Sequence, residues 1–398
     1  MSHFSIQLGS PIYCAVFIQK DRLILGGGGG SSKSGVGNKL WLIRLEPERK
    51  QHVILYEHSL PRDSDAPMSL DLDPTSGLLL TGINSSPTDL KAGRNDHFRT
   101  FTVKESTLDP KDACQILDFK TEEDYQRIVC LSRTTPRLLA VGGSNNQLKL
   151  LSYPSLKSAT TSPIDCPPGE LLSADFSEDG KQFLVCTSKA VRLFSITRSS
   201  KSKGPKTVKL AQEQEFVPPT DRFPTSFRSA RFGSGPTSES VLTVLNPHDR
   251  KRGARVLSWN ATSGVLQRSR AVSGRPVTAF DVSNSGALAA VGTSDLAVSI
   301  IDAVSLRPIL SILHAHEFPV TSLKFSNDSS RLISASADTT MRVIEVPERR
   351  SPWRSSASML VLLTIIVLTI SLLVSKRSIE VDQLLEIIYH SLSPFSKL

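Results

Sequence analysis

The chain has 398 residues, 39% apolar and 21% charged, so it is long enough for one large or two ordinary domains with a substantial core. That composition excludes a chain that is disordered throughout. The formal net charge of +9 favours an anionic partner, such as a membrane surface, a nucleic acid or an acidic protein.

The N-terminal region and the cysteines point to a cytosolic domain. Residues 1–20 have neither a basic start nor a continuous apolar run, so no signal peptide is predicted there. The number of cysteines is odd and no two have C-x-x-C spacing, which predicts reduced thiols and no zinc site. The five cysteines are Cys14, Cys114, Cys130, Cys166 and Cys186.

Five consecutive glycines, Gly26 to Gly30, are the most unusual feature of the sequence. Glycine adopts positive φ freely, but ordering a glycine tract costs much conformational entropy. A phosphate-binding loop is disfavoured, because Ser32 stands where that motif has its second glycine before Lys33. Residues 39–45 are strand-like, so the helix N-terminus that would hold a phosphate is also missing. A disordered surface hairpin and an ordered functional loop remain as alternatives.

A pattern of short strands and turns recurs along residues 1–347. Seven copies, spaced by about 43 to 59 residues, predict an all-β, seven-bladed β-propeller of WD-repeat type. Either Ser2 to Gln7 or the segment that continues to Tyr13 is expected to add a strand to the last blade. In the most distinct copy, His316, Ser334 and Asp338 are expected to form a structural hydrogen-bond set. The aligned apolar residues before the first turn of each copy are Phe17, Leu72, Leu131, Phe176, Phe232, Val282 and Phe325.

Three polar insertions separate the repeats. Residues 84–99 are polar, whereas residues 198–209 and 248–255 are basic and rich in turn residues. Each is expected to be a solvated loop, with contact to anionic lipid as the functional alternative. No aromatic interleaving or nucleic-acid motif accompanies the basic segments, so no nucleic-acid partner is expected.

One apolar segment follows the repeats. In residues 360–374, twelve of fifteen side chains are Leu, Ile or Val. The uncharged stretch 358–375 predicts a single transmembrane helix, because at about 1.5 Å per residue it spans roughly 27 Å. Residues 348–357 are expected to be a basic juxtamembrane linker and residues 376–398 a short lumenal tail. The large domain without a signal peptide favours a cytosolic N-terminus.

Taken together, these features resemble one family. Residues 26–38, GGGGGSSKSGVGN, resemble its loop pattern GGGG-x-x-K-[ST]-G-[IV]-x-N, and residues 93–99 and 316–347 also resemble family segments. The family comprises the endoplasmic-reticulum guanine-nucleotide exchange factors that activate the small GTPase of COPII coat assembly, the prolactin regulatory element-binding protein family. The resemblance covers nearly the whole chain up to the apolar segment.

The resemblance implies that the loop projects from the first blade, binds a potassium ion and inserts against a small GTPase of the Arf-like COPII class. Asn38 is the candidate side-chain ligand of the ion, and Gly29 and Gly30 are candidate backbone ligands. The implied location is the endoplasmic-reticulum membrane, and the implied activity, nucleotide release, involves no covalent chemistry. The implied active residues are Gly27, Gly28, Gly29, Gly30, Ser31, Ser32, Lys33, Ser34, Gly35, Val36, Gly37 and Asn38.

Two other functions remain open on the sequence. A membrane-tethered WD-repeat scaffold without exchange activity would fit the lack of catalytic motifs. A nuclear, DNA-associated regulator would use the basic segments, but the predicted membrane span disfavours it.

Overall fold

The computed structural model divides into two compact units, Met1–Val346 and Pro347–Leu398. It describes residues 3–31, 35–61, 63–119, 121, 123–198, 207–220, 223–249, 252–347, 361–369, 371–372, 375, 383 and 386. Within the described residues, unit 1 consists of seven four-stranded antiparallel sheets, here called blades.

The strands follow one another in regular order. The first fourteen are β1 (His3–Gln7), β2 (Ile12–Phe17), β3 (Arg22–Gly27), β4 (Lys39–Glu46), β5 (Gln51–Ser59), β6 (Ser69–Asp73), β7 (Leu78–Gly82), β8 (Phe98–Val103), β9 (Leu108–Cys114), β10 (Gln126–Leu131), β11 (Leu138–Gly143), β12 (Leu148–Ser152), β13 (Lys157–Ser158) and β14 (Leu171–Phe176). The next fourteen are β15 (Gln182–Thr187), β16 (Val191–Arg198), β17 (Val208–Phe216), β18 (Thr225–Phe232), β19 (Ser240–Pro247), β20 (Ala254–Asn260), β21 (Leu266–Ser273), β22 (Val277–Val282), β23 (Leu288–Thr293), β24 (Val298–Asp302), β25 (Pro308–Ile312), β26 (Val320–Phe325), β27 (Arg331–Ser336) and β28 (Thr340–Glu345).

The blades form a closed ring. Blade 1 is β2–β5, each later blade takes the next four strands, and blade 7 joins β26, β27 and β28 to β1. The first strand of each blade lies innermost, and neighbouring innermost strands contact one another around the ring until β26 meets β2. The predicted seven-bladed propeller is therefore confirmed. Each aligned apolar residue, from Phe17 to Phe325, lies at the last or next-to-last position of an innermost strand.

The core lies between blades, because a sheet in this ring is covered on both faces. In β11 and β23 every residue is buried. Between blades 7 and 1, Trp41 and Phe17 pack against Met341 and Val343 in one apolar cluster. No blade can bury both faces alone, so each one depends on its two neighbours.

The ring closes through the N-terminal strand, as predicted. Strand β1 pairs antiparallel with β28, from His3 opposite Ile344 to Gln7 opposite Thr340. In the same blade, His316 Nδ1 lies 3.1 Å from Asp338 Oδ2 and His316 Nε2 lies 2.7 Å from Ser334 Oγ. All three side chains are enclosed between strands, which confirms the structural hydrogen-bond set.

Six innermost strands carry one extra residue opposite their second strand. Such a β-bulge bends the strand and redirects a side chain. All six bulged residues line the cavity on the axis of the ring, here called the axial cavity. They are Tyr13, Arg127, Leu172, Arg228, Thr278 and Thr321.

Carboxylates join alternate pairs of blades near the axis. The backbone N–H of Leu131 donates to Asp71 at 2.7 Å, and the N–H of Phe232 donates to Asp175 at 2.9 Å. Asp281 accepts the corresponding bond from Phe325, also at 2.9 Å. Blades 2 and 3, 4 and 5, and 6 and 7 are thus held together by the same kind of bond.

All five cysteines are free thiols. Cys14 is buried, and its Sγ donates to the Pro67 carbonyl at 3.1 Å. Burial raises the pKa of Cys186 to about 12 and that of Cys166 to about 11. Thiols of this kind are poor nucleophiles at neutral pH.

Unit 2 is described in part. Residues 361–369, 371, 372 and 375 are helical, and the apolar side chains of Val361, Leu363 and Leu368 are more than half exposed. Among the described residues, none of the helices combines the length and apolar character needed to cross a membrane. Residues 358–360, 370, 373 and 374 of the predicted span lie outside the described residues, as does most of the predicted tail 376–398.

Candidate functional site

The glycine tract begins as the end of a buried strand. A side chain at Gly26 would collide with Cys14 Sγ and with Pro67, and one at Gly27 would collide with the Pro11 carbonyl. Gly28 and Gly30 have positive φ, +144° and +73°, and the Gly28 N–H donates to Pro11 O at 2.9 Å. Close packing explains Gly26 and Gly27, and backbone conformation explains Gly28 and Gly30.

Residues 27–38, here called the glycine loop, connect β3 to β4 in blade 1. The chain enters a strand after the loop, as predicted, so this is not the helix-opening loop that holds a phosphate. Ser31, Gly35 and Gly37 are exposed, whereas Asn38 is 4% exposed. Ser32, Lys33 and Ser34 lie outside the described residues.

Asn38 holds the two ends of the glycine loop together. Its Oδ1 accepts from the Gly30 N–H at 2.9 Å, and its Nδ2 donates to Gly30 O at 3.0 Å. The same Nδ2 donates to Ser64 O at 2.7 Å, and Asn38 O accepts from the Leu60 N–H at 2.9 Å. One buried amide thus joins the loop to the segment that leads into blade 2. Of the predicted ion ligands, Asn38 and Gly30 are brought into direct contact.

The hydrogen bonds continue from Ser64 into blade 2. Asp65 N–H donates to Asn84 O at 3.2 Å, and Asn84 Nδ2 lies 3.4 Å from Asp65 Oδ2. Asn84 Nδ2 also donates to Asp124 O at 2.7 Å, and Asn95 Nδ2 donates to Asn84 Oδ1 at 3.2 Å. We call Asn38, Ser64, Asp65, Asn84 and Asn95 the asparagine network.

The network reaches the second segment that carries the family resemblance, residues 93–99. Asn95 Oδ1 accepts from the Ser85 N–H at 3.0 Å, just before helix α1 (Pro87–Lys91). Ser86 caps this helix by accepting from the Asp89 N–H at 3.2 Å. The two segments that are separate in sequence therefore lie side by side at one end of the ring, above blades 1 and 2.

The insertion 84–99 differs from the solvated loop that was expected. Asn84 and Asn95 are each 4% exposed, and His97 is fully buried. His97 Nε2 accepts from the Ile116 and Leu117 N–H groups at 3.1 and 2.8 Å, and Nδ1 lies 2.8 Å from Gln126 Oε1. Polar side chains in this segment thus form hydrogen bonds to backbone groups that have no partner in a regular strand or helix.

The described ends of the two basic segments belong to different blades, and residues 199–206, 250 and 251 lie outside the described residues. Residues 198–209 connect the third and fourth strands of blade 4, whereas residues 248–255 lie near the connection between the second and third strands of blade 5. In antiparallel blades these connections lie at opposite ends of the ring. In the described parts, Arg198 donates to Pro136 O at 2.9 Å, and the Arg252 guanidinium lies 3.3 Å from the centre of the Phe223 ring.

Two oxygen atoms lie beside Gly28 in the glycine loop. A side chain at Gly28 would collide with Asn38 Oδ1 and with the Gly37 carbonyl oxygen, so glycine leaves both oxygens unobstructed. A side chain at Gly30 would lie 3.3 Å from Asp65 Oδ1. Amide and carbonyl oxygens are the kind of atom for which potassium exchanges its hydration shell.

Sequence reasoning identified Asn38 but missed Ser64, Asp65, Asn84 and Asn95. Asn84 and Asn95 were read only as parts of a polar insertion. The available signal was their residue type: Asn between two strands often hydrogen-bonds to backbone instead of remaining in solvent. Ser64 and Asp65 contribute mainly through backbone groups, which residue identity does not reveal.

The fold first defines the structural class of the protein. The chain is a WD-repeat type β-propeller, and the family model described as "WD domain, G-beta repeat" matches residues 307–345. A solved chain from "Crystal Structure of Mitotic Checkpoint Complex" superposes with a TM-score of 0.60 at 11% identity, covering 86% of this chain and 91% of that one. At that identity the likeness establishes the fold alone.

Sequence relatives then narrow the class. "Guanine nucleotide-exchange factor SEC12" of Candida glabrata is 25% identical over 88% of this chain and 73% of its own length. The protein of the same name from Rattus norvegicus is 25% identical over 86% of this chain and 90% of its own length. "SEC12-like protein 2" of Arabidopsis thaliana is 24% identical over 80% and 74%. These matches confirm the resemblance found in the sequence: over most of its length, the chain is similar to the SEC12 guanine nucleotide-exchange factors.

Proposed function

We propose that this chain is a guanine-nucleotide exchange factor that releases GDP from the small GTPase initiating COPII vesicle formation. The names of its relatives support exchange activity and a small GTPase partner. The observation that supports the role of the glycine loop is its attachment through Asn38: this residue is buried and hydrogen-bonded, whereas Ser31 and Gly35 are exposed. A loop held in this way can contact a partner without first paying the full entropy of ordering.

The mechanism would be differential binding, without a covalent step. The glycine loop would bind the nucleotide-free GTPase more tightly than the GDP-bound form, so that GDP leaves faster. Coupling is reciprocal, and nucleotide rebinding would therefore expel the exchange factor. Residues 27–38 would form the contact, and the asparagine network would position them.

A potassium ion is part of this proposal. Asn38 Oδ1 and the carbonyl oxygens of the loop, with Gly29, Gly30 and Gly37 as candidates, would hold the ion. When bound, the ion would attract several loop oxygens at once and so stiffen the loop. The protein groups that bind the ion and those that fix the loop would thus be largely the same.

Membrane anchoring at the endoplasmic reticulum is also proposed. It is supported by the uncharged apolar stretch 358–375 and by the exposed Val361, Leu363 and Leu368 side chains on a helical segment. The N-terminal unit would face the cytosol, where small GTPases are found. Extraction of the full chain from membranes without detergent would contradict this part of the proposal.

The exchange proposal is tested by replacing Asn38. The full chain and its Asn38→Ala variant are compared in fluorescent-GDP release from a panel of purified small GTPases. We expect the wild-type chain to accelerate GDP release from the COPII GTPase. In the variant the release rate should be at least about tenfold lower, a change of about 1.4 kcal/mol, because the hydrogen bonds that hold the loop are lost. The rate should also be lower in sodium than in potassium at equal ionic strength.

Asn260→Ala provides the matched control. Asn260 Oδ1 also accepts two backbone hydrogen bonds, from Thr262 and Ser263, but in a turn of blade 5. This variant should keep the full exchange rate. No acceleration by the wild-type chain on any GTPase would favour the scaffold function, and an equal rate in Asn38→Ala would remove the glycine loop from the mechanism.

A further inference from the structure

The axial cavity is lined by an excess of positive charge. It has a volume of about 230 Å³ and is bounded by the innermost strands of all seven blades. Its charged lining residues are Arg127, Arg228, Arg231 and Lys324, against the single carboxylate of Asp281.

Two of the four cations are paired. Arg127 Nη1 donates to Glu170 Oε1 at 2.6 Å and to Leu171 O at 2.8 Å. Lys324 Nζ lies 3.3 Å from Asp281 Oδ1. These two side chains are therefore neutralised by groups of the protein itself.

Among the described residues, the other two cations form no ion pair. Arg231 donates to its neighbour, the Ala230 carbonyl, at 3.0 Å, and it attracts the Asp175 carboxylate, whose oxygens accept the Phe176 and Phe232 N–H groups. In the described part of the chain, the Arg228 guanidinium has neither a hydrogen-bond acceptor nor an ion-pair partner. Burial and the nearby Arg127 charge lower the pKa of Arg228, and the Glu170 charge opposes them.

A β-bulge in β18 directs Arg228 into the axial cavity. Arg228 is the extra residue of the bulge in β18, between Phe227 opposite Leu245 and Ser229 opposite Val244. Arg127 is the extra residue of the equivalent bulge in β10. Bulges re-aim side chains, so both arginines are turned toward the axis rather than into the core between blades.

An unpaired cation in a confined site is costly unless an anion neutralises it. At equivalent bulges, Thr278 and Thr321 use their hydroxyls to donate to backbone carbonyls of neighbouring blades. Arg228 makes no such bond, so holding the blades together does not account for it. The cavity has room for several waters at about 30 Å³ each, or for one tetrahedral oxyanion and its hydration.

We propose that the axial cavity is a binding site for a small tetrahedral oxyanion of the phosphate or sulfate type, held by Arg228 and Arg231. Arginine is suited to this task because its planar guanidinium makes paired hydrogen bonds to such anions. The bound anion would neutralise the two unpaired cations, both of which lie on β18 in blade 5.

The test uses inorganic phosphate and the full chain. Thermal unfolding is measured in phosphate, sulfate and chloride at equal ionic strength. We expect phosphate, at about ten times its dissociation constant, to raise the melting temperature by about 2 °C or more over chloride. Equilibrium dialysis of radiolabelled phosphate should give one bound ion per chain, and no binding there would overturn the proposal.

Two variants test whether the bound phosphate lies at Arg228. Arg228→Gln should melt no lower than wild type in chloride, because it removes a buried cation that the Arg127 charge repels, and it should lose the phosphate-dependent rise. Arg268→Gln, an exposed arginine on the outer strand β21, should retain the rise. An undiminished rise in Arg228→Gln would place any bound phosphate elsewhere and refute the assignment.

Discussion

His97 illustrates how a single buried side chain makes stability depend on pH. Its ring accepts two backbone N–H bonds and lies against Gln126, in a fully buried position. Burial lowers the pKa of His97 to about 4. The folded protein therefore keeps this ring neutral under conditions in which the unfolded chain binds a proton.

We expect stability to fall as the pH drops below about 6.5. Between that value and about 4, the unfolded state takes up a proton at His97 that the folded state does not, so acid favours unfolding. The loss at pH 5 from this residue is about 2 kcal/mol. Urea unfolding of wild type and His97→Gln at pH 7.5 and pH 5 measures it, with the decline smaller in the variant.

The exposed His248 supplies the control for this experiment. His248→Gln should show the same decline with pH as wild type. Equal declines in wild type and His97→Gln would mean that His97 does not contribute to the acid sensitivity.

At the scale of elements, the glycine loop depends on the space left by Gly28. Its φ of +144° is one that other residues rarely adopt, and a Cβ there would collide with Asn38 Oδ1 and Gly37 O. Replacement therefore adds backbone strain to a steric clash at the base of the loop.

Gly28→Ala is expected to destabilise unit 1 by about 1–3 kcal/mol, the usual cost of one strained residue. It should also slow nucleotide release, because the loop base must move. Gly37→Ala is the matched control, since a Cβ there meets only Lys39 Cε, at 3.8 Å. Urea midpoints of the two variants give the comparison of stability, and nucleotide release is compared between Gly28→Ala and wild type because Gly37 itself lies in the proposed contact. Equal effects from both would show that the clash with Asn38 is not what constrains the loop.

Much of the strand order was predictable from the sequence. Each innermost strand has an apolar residue, such as Phe17 or Phe325, at its last or next-to-last position, and that local pattern survives even where the repeats are degenerate. The glycine tract Gly26 to Gly30 was evident from its composition, whereas Asn38 was named only through the family resemblance, as a candidate ion ligand. The local sequence pattern is sufficient to predict an element whose structure depends mainly on residues close to it in the sequence.

The remainder could not be predicted, because it depends on contacts between distant segments. Asp71 meets Leu131 only once blades 2 and 3 are adjacent, and the bulge that turns Arg228 inward leaves no mark in the sequence. Asn84 shows the same limitation at the site, since a polar residue between strands looks solvated until its buried partners are known. Tertiary contacts, not local propensity, determine these features.

At the scale of the whole molecule, stability of the ring depends on how it is closed. Ile6 is 2% exposed and belongs to the apolar cluster between blades 7 and 1. Both neighbours of Ile6 in β1, Ser5 and Gln7, are exposed. One buried side chain thus provides much of the packing on the strand that seals the ring.

Ile6→Ala should destabilise unit 1 by about 2–5 kcal/mol, the range for truncating a buried aliphatic side chain. Ser5→Ala, which keeps the same backbone pairing to Arg342, should change stability by less than about 0.5 kcal/mol. Chemical unfolding of both variants distinguishes the two. A small effect of Ile6→Ala would mean that the ring remains closed without this contact.

Closure through β1 also has a consequence during synthesis. Strand β1 leaves the ribosome before the other described strands of the ring but pairs with residues 340–344, so it must wait for its partner while nearly the whole ring is translated. At about 5–20 residues per second, that delay is roughly 17 to 70 s. Throughout this time the nascent blades present unpaired strand edges, which invite mispairing with other nascent chains. Biogenesis of this protein should therefore depend more on chaperone holding during translation than on the stability of the finished ring.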